Sequence, residues 1–327
     1  MPNVKYYFKK AGGVNLLRQY YRNGALGTAI AQFLLLGKSR TALELLRLSA
    51  VFKTKQRLFR KYKSVLKQFD EQWKDSIVHL ERKTVWLFWW QGEDAMPELV
   101  KRCYASVKEC MKDWEIVLLT EENYQDYAEF PDYITDKLQK GITLTHFSDL
   151  LRLELLIRYG GLWMDATVLC TGSNIPKSIL NSDLFVFRPQ KPGADGKATS
   201  MSSWLMWAKS NNHILMTTQT LLYSYWQKNN SLSEYFLLHH FMTIAMEHNP
   251  EEAKKIPPFC NSVPHILQLH LFDPFDEVYW NDLKRMSCFH KLTYKLVEEK
   301  CAKQRTFYDF ICKQFQLAVT ANKKDEK

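Results

Sequence analysis

The chain has 327 residues, enough to bury one large core or two ordinary ones without disulfide or metal staples. Hydrophobic residues make up 46% and charged residues 24%, which excludes a disordered, collagen-like or coiled-coil bulk, and aromatics at 14% with ten Trp favour a ligand groove or a surface contact beyond ordinary core use. The net charge of +10 is unevenly spread: residues 1–83 carry 18 Lys and Arg against five Asp and Glu, whereas residues 84–327 carry 27 against 30. In the basic quarter, Leu43, Leu46, Val51, Leu58, Tyr62, Val65, Leu66 and Phe69 recur at helical spacing between Arg47, Lys53, Arg57, Lys61, Lys63 and Lys67. That pattern predicts a basic amphipathic helix or helix pair over residues 1–83, lying on anionic lipid or packing its apolar side inward. A polyanion of either kind, membrane face or nucleic acid, suits such a block, and so does plain solvation.

The apolar run GALGTAIAQFLLLG at 24–37 is too short to span a bilayer and sits too far in for a secretory signal, so it reads as a core helix or an interfacial segment. Seven Cys form no CxxC pair, and an odd number leaves a free thiol in any pairing, which fits a reducing compartment. A cytoplasmic protein, at most peripheral on the inner face of a membrane, is the expectation.

From residue 84 the pattern changes. TVWLFWW reads as a buried strand ending in Gln91-Gly92, residues 97–111 as a helix, and WEIVLL at 114–119 as a second strand. This βαβ unit predicts a parallel sheet. A helix over about 148–158, a strand LWMDATVL at 162–169 and another at 184–187 extend it into an open α/β sheet, which binds ligands at the carboxyl ends of its strands. Residues 189–203 (PQKPGADGKATSMSS) are a Pro/Gly/Ser-rich loop long enough to be functional. Two helices follow, over about 213–228 and 231–247. Residues 257–290 lack clear periodicity, a last helix ends near 315, and the tail ANKKDEK reads as frayed.

The chemistry is concentrated at 146–171, HFSDLLRLELLIRYGGLWMDATVLCT. Asp149 and Arg152, three apart on a helix, share one face. Gly160 and Gly161 let the chain reverse from helix end into strand, and the strand delivers Asp165 to its carboxyl end. Spacing alone leaves two readings open: a structural Asp149–Arg152 ion pair with Asp165 capping a turn, or a ligand site.

The composite SDLLRxxLLxRYGGLWMDATV resembles the signature of the sugar-transferring family that includes capsular polysaccharide synthesis proteins and the family 32 mannosyltransferases, and more distantly the glucosylating toxins. Further similarity lies in VWLFWWQGEDAMPELVKRC, SLSEYFLLHHFMTIAMEHNP and CFHKLTYK, so the resemblance covers residues 84 to about 296. It implies a GT-A-type single Rossmann-like α/β domain with a mostly parallel sheet over 84–327, behind the basic helical region. It implies that Ser148, Asp149 and Arg152 hold the hydroxyls of a nucleoside diphosphate sugar, for which a carboxylate and a guanidinium are apt. Asp165 matches the first acid of D-x-D, expected to bind ribose and a divalent cation. Thr167 stands at the second acid, so Mn²⁺ or Mg²⁺ would be completed by its hydroxyl or a water. His290 is the expected late metal ligand, or else an ordinary packing residue. Lys291 and Lys295 are expected on phosphate oxygens, and Trp90, Gln91 and Gly92 at the first strand's end against the nucleotide. Glu234 is a candidate for steering the acceptor or stabilising the transition state, or else a solvated acid favouring a helix start.

No P-loop, nucleophile elbow, zinc framework or nucleic-acid motif competes. The expected function is transfer of a hexose from a nucleoside diphosphate sugar, UDP-linked by preference, to a capsular or other cell-surface glycan or its lipid-linked precursor, with retention as in the family 32 relatives. The alternative is an inactive transferase fold serving as a membrane or nucleic-acid adaptor.

Overall fold

The computed structural model describes residues 13–73, 79–188 and 199–315. Residues 189–198 of the expected functional loop and the tail 321–327 lie outside the described residues.

Among the described residues three helices come first: α1 (Val14–Arg22), α2 (Leu26–Leu36) and α3 (Arg40–Gln72). The Ser39 side chain accepts from Ala42 N at 3.1 Å and so caps α3, which then runs for 33 residues. Its buried positions Ala50, Thr54, Leu58, Tyr62 and Leu66 fall four apart, so one narrow stripe of a basic helix faces inward. Tyr62 meets the Phe241 ring edge-on at 5.2 Å between centroids, and Leu58, Tyr62 and Leu66 belong to the main core. The helical reading of this region holds, with the apolar stripe packed inward. In contrast, α2 leaves Leu34 and Leu35 77% and 83% exposed.

The α/β part follows: β1 (Thr84–Phe88), α4 (Glu98–Cys110), β2 (Glu115–Leu119), α5 (Asp132–Leu138), α6 (Leu144–Tyr159), β3 (Gly161–Met164), β4 (Val168–Cys170), α7 (Lys177–Leu180), β5 (Leu184–Phe187) and β6 (Ser202–Ala208). Then come α8 (His213–Lys228), α9 (Leu237–His248), α10 (Pro250–Lys254), α11 (Ile266–His270), α12 (Glu277–Met286), β7 (Phe289–Lys291), α13 (Glu298–Cys301) and α14 (Phe307–Gln314). The central sheet runs β2-β1-β3-β6-β5, with β1 parallel to β2 and β3, and β6 antiparallel to both β3 and β5. Four of the five strands therefore share a direction, the mostly parallel arrangement that the GT-A resemblance implies.

Strand alternation assigns the two faces of this sheet. Trp86, Trp163, Val186 and Met206 pack into one core with α6, α8 and α9, while Val85, Leu87, Leu162, Met164 and Phe185 pack into a second with Val100, Tyr104 and Val107 of α4. The sheet is covered on both sides, which explains why its strands read as continuous apolar runs.

Two local features position the site. Gly160 and Gly161 have φ of +72° and +102°, and a Cβ on Gly161 would stand 2.7 Å from Thr84 O, so only glycine permits this close passage from α6 into β3. The single strand expected over 162–169 is broken in two. Asp165 N makes a last bond to Trp204 O at 2.8 Å, Val168 N then donates to Asp165 O at 3.0 Å, and this turn carries the chain off the central sheet. Beyond it β4 pairs with β7 in a separate two-stranded ladder, with Val168 opposite Lys291. The expected helix over 231–247 begins only at Leu237, leaving Glu234 in the preceding loop.

Candidate functional site

Three elements meet at the carboxyl end of β3: the first two turns of α6, the turn 165–167, and β7 arriving from the C-terminal part of the chain. Helical spacing sets Ser148, Asp149 and Arg152 on the α6 face that looks toward that turn. The Arg152 guanidinium, only 4% exposed, holds the assembly together. Its Nη2 stands 3.2 Å from Asp149 Oδ1 and 3.6 Å from Asp165 Oδ1, and donates to Ser148 Oγ at 3.1 Å. Its Nε donates to Ser148 O at 3.1 Å and its Nη1 to Ser203 O, tying α6 to the start of β6. Its plane lies over the Trp163 ring, 4.9 Å from the centroid. A buried guanidinium needs partners for its donors, and each of its three nitrogens has one here.

Asp149 is buried as well, its second oxygen 3.1 Å from His146 Nδ1. Of the two acids Asp165 is the one that reaches solvent, with 27% of its side chain exposed. Its Oδ1 accepts from Trp163 Nε1 at 3.1 Å and its Oδ2 from Lys291 Nζ at 2.9 Å. Burial alone would raise the Asp165 carboxyl, but Lys291 and then Arg152 outweigh it, so its pKa lies below the ordinary value and the group is an anion at neutral pH. Lys291 Nζ also donates to Thr167 Oγ1 at 2.6 Å.

The structure thus brings Ser148, Asp149, Arg152, Asp165, Thr167 and Lys291 into one cluster, and three expectations need correction, the first being that Asp149 and Arg152 reach a donor's hydroxyls: both are buried and engaged with each other, His146, Ser148 and Ser203. His290 does not join the cluster: side chains alternate along β7, so with Lys291 toward Asp165 the His290 ring points the other way. It is buried beside Trp280, with Nε2 3.2 Å from Thr171 Oγ1. Glu234 is buried rather than presented to an acceptor, accepting from Gln19 Nε2 of α1 and from Phe236 N. Burial raises its carboxyl pKa. Lys295 is exposed, four residues beyond Lys291. Trp90 is half-buried against Phe147 and Tyr124, Gln91 is exposed, and Gly92 closes a turn at φ +81° with Gly92 N bonded to Trp89 O at 3.0 Å.

Sequence reasoning missed three contributors. Ser203 O receives Arg152, although it sits at the end of a stretch read as loop. His239 on α9 lies with Nε2 3.5 Å from Ser203 Oγ, and burial pushes its pKa down to about 4, so it is neutral near pH 7. Tyr235 is 59% exposed beside the cluster, and after burial it is the Asp149 and Asp165 carboxylates that raise its hydroxyl. Its place next to Glu234 in the motif-like segment was the available signal.

A divalent cation fits this donor set poorly. Both Asp165 oxygens already face donors, the Thr167 hydroxyl is bonded by an ammonium, and the two acids Asp149 and Asp165 are matched by Arg152 and Lys291. Among the described residues no group of three or more His, Cys, Asp and Glu side chains stands together to hold a metal ion.

The buried histidines give a pH dependence. His240 and His290 are pushed down to about 3 and about 4 by burial, so folding requires them neutral while the unfolded chain protonates them near 6.5. Their contribution is complete above pH 6.5 and is lost as pH falls toward 4, at roughly 1.4 kcal/mol per pH unit per histidine. Thermal melts between pH 7.5 and 4.5 are expected to show a Tm that is flat above 6.5 and declines below it. A His240→Phe variant should show a shallower decline.

A buried guanidinium bridging two acids stands at the carboxyl end of a strand, the edge at which open α/β sheets bind their ligands. The chain belongs to the family described as capsular polysaccharide synthesis protein, which it matches over residues 47–311, beginning within α3. It is also similar to the O-glycosyltransferase braB of Annulohypoxylon truncatum, 36% identical over 94 residues, which is 26% of this chain and 22% of that protein. The chain therefore matches about a fifth of that relative's length. A solved structure titled PaToxG Glycosyltransferase aligns over 71% of this chain and 93% of its own, at 16% identity and a TM-score of 0.36.

Proposed function

We propose that the protein is a glycosyltransferase that moves a hexose from a nucleoside diphosphate sugar, UDP-linked by preference, to a hydroxyl of a growing cell-surface glycan. The observation that carries this reading is the convergence of Arg152, Asp165 and Lys291, with Nη2 and Nζ 3.6 and 2.9 Å from the two oxygens of one partly exposed carboxylate. Family membership and the partial match to an O-glycosyltransferase support it.

In this reading Asp165 accepts hydroxyl hydrogens of ribose or sugar, oriented by a buried Arg152 that touches protein alone. Lys291, and Lys295 beyond it, meet the diphosphate. The acceptor hydroxyl oxygen forms a bond to the anomeric carbon on the face from which the phosphate departs, the bond from that carbon to the phosphate oxygen breaks, and the hydroxyl proton passes to the departing phosphate oxygen. The leaving diphosphate takes the electron pair, and the fixed ammonium stabilises the charge that appears there. Tyr235, exposed beside the cluster, is assigned in this reading to stacking on the acceptor ring. Retention of the anomeric configuration is carried from the resemblance to the family 32 enzymes. Thermal-shift screening against UDP-glucose, UDP-galactose, their N-acetyl forms and GDP-mannose should yield stabilisation by one donor class. Absence of a shift with all of them, alongside retained liposome binding, favours an inactive adaptor.

The basic helices serve the acceptor side in the same proposal, holding the protein to the anionic cytoplasmic face where a lipid-linked glycan is presented. Ile30, Leu34 and Leu35 of α2 are exposed and apolar, with Arg18, Arg22, Lys38 and Arg40 nearby in sequence, a composition suited to shallow insertion among anionic headgroups. No helix among the described residues is long and apolar enough to cross a membrane. Leu34→Asp with Leu35→Asp is expected to weaken sedimentation with phosphatidylserine vesicles by about tenfold or more, leaving donor binding intact. Equal sedimentation of variant and parent would remove α2 from the account.

A further inference from the structure

We propose that Lys291 is the resident cation of the diphosphate site, an ammonium supplied by the chain in the position a divalent metal ion would take, and that nucleotide binding therefore needs no metal. This rests on the donor-binding reading above and adds to it the identity of the charge that faces the phosphates.

The ammonium bridges the two side chains that a D-x-D motif would offer to a metal, with Nζ 2.9 Å from Asp165 Oδ2 and 2.6 Å from Thr167 Oγ1. Its backbone is fixed on the residues just after Asp165: Val168 lies opposite Lys291 in the β4–β7 ladder, and Leu292 N donates to Thr167 O at 2.9 Å. A lysine carries three N–H bonds, and two are used here, which leaves one donor on a side chain that is 19% exposed at the mouth of the cluster. An incoming phosphate oxygen is the natural third acceptor.

The departure from D-x-D at position 167 finds its physical reason in this arrangement. Two carboxylates and one lysine would leave a net negative site that calls for a further cation. One carboxylate and a hydroxyl are balanced by the lysine alone, and Arg152 balances Asp149 on the other side. A dication placed against Asp165 would either displace the Lys291 ammonium or stand against it with like charge. Lysine suits the role because it is a compact point charge whose donors can follow a phosphate that changes geometry as its bond to the sugar breaks.

The test is calorimetric titration of the full chain with UDP, GDP and the parent nucleosides, in EDTA and in Mn²⁺. Whichever diphosphate binds is expected to do so with a Kd that differs less than about threefold between the two conditions. Lys291→Ala should weaken that diphosphate by about 10- to 100-fold in EDTA while leaving the nucleoside unchanged, since only the phosphates meet the ammonium. Lys291→Ala with Thr167→Asp should regain affinity in Mn²⁺ alone. A parent protein that binds the diphosphate in Mn²⁺ and loses it in EDTA overturns the inference while sparing the transferase reading. Failure to bind any nucleotide in either condition overturns both. The parent comparison needs no variant, so a poorly folding Lys291→Ala does not blunt the test.

Discussion

Asp165→Ala is expected to lower turnover of the nucleotide sugar about 10²- to 10³-fold with little change in fold. Asp165 is the partly exposed acid of the cluster, and its loss takes away the carboxylate that receives Lys291 on one oxygen and faces Arg152 on the other. The vacated Lys291 would still hold Thr167 but no longer at a fixed angle, so the donor would lose both a hydroxyl acceptor and an aligned phosphate partner. Asp165→Asn separates the two effects, since it keeps the shape and removes the charge. It should retain nucleotide affinity better than Asp165→Ala yet stay slow, because the orienting ion pair is gone. Initial rates and circular dichroism on the three proteins measure this. Near-parental turnover in Asp165→Ala would show that the chemistry lies elsewhere.

Arg152→Met should chiefly cost stability. The guanidinium is buried and makes contacts to Ser148, Asp149, Asp165 and Ser203, and its removal leaves the Asp149 carboxylate buried with His146 Nδ1 as its remaining close polar contact. Breaking a buried pair in this way costs about 3–5 kcal/mol, which corresponds to a fall of roughly 5–15 °C in Tm. Pairing the change with Asp149→Leu removes the stranded charge and should recover part of the loss, since replacing a whole buried pair is far milder than breaking it. A Tm within a degree of the parent for Arg152→Met alone would mean that the guanidinium does not hold α6 to β6.

The parts of the molecule that were legible in the sequence are those governed by local periodicity. The run TVWLFWW, the helix after Pro97 and WEIVLL gave β1, α4 and β2, and the glycine pair marked the passage from α6 to β3 because positive φ and close backbone approach leave no other residue suitable. Spacing also placed Asp149 and Arg152 on one face. The misreadings arise from contacts distant in sequence. Nothing local in LWMDATVL shows that Trp204 O ends the sheet pairing at Asp165, so the turn that aims the carboxylate was read as continuous strand. The strand β6, between β3 and β5, was hidden because SSWLMWA follows a Pro/Gly/Ser stretch and is too short for its period to be told from a helix. Glu234 reads locally as a helix-start acid, whereas its partner Gln19 lies far away in α1. His290 and Lys291 were both expected at the site, but strand alternation admits only one, and the ladder with β4 selects Lys291.

The most direct measurement of the central claim is a crystal structure of the protein with its preferred nucleoside diphosphate. The account predicts the diphosphate within hydrogen-bonding distance of Lys291 Nζ, and the ribose or sugar hydroxyls against Asp165, with Arg152 still bound to Ser203 O behind them. A nucleotide seated elsewhere on the molecule, with the Asp165–Lys291 pair intact and untouched, would contradict it.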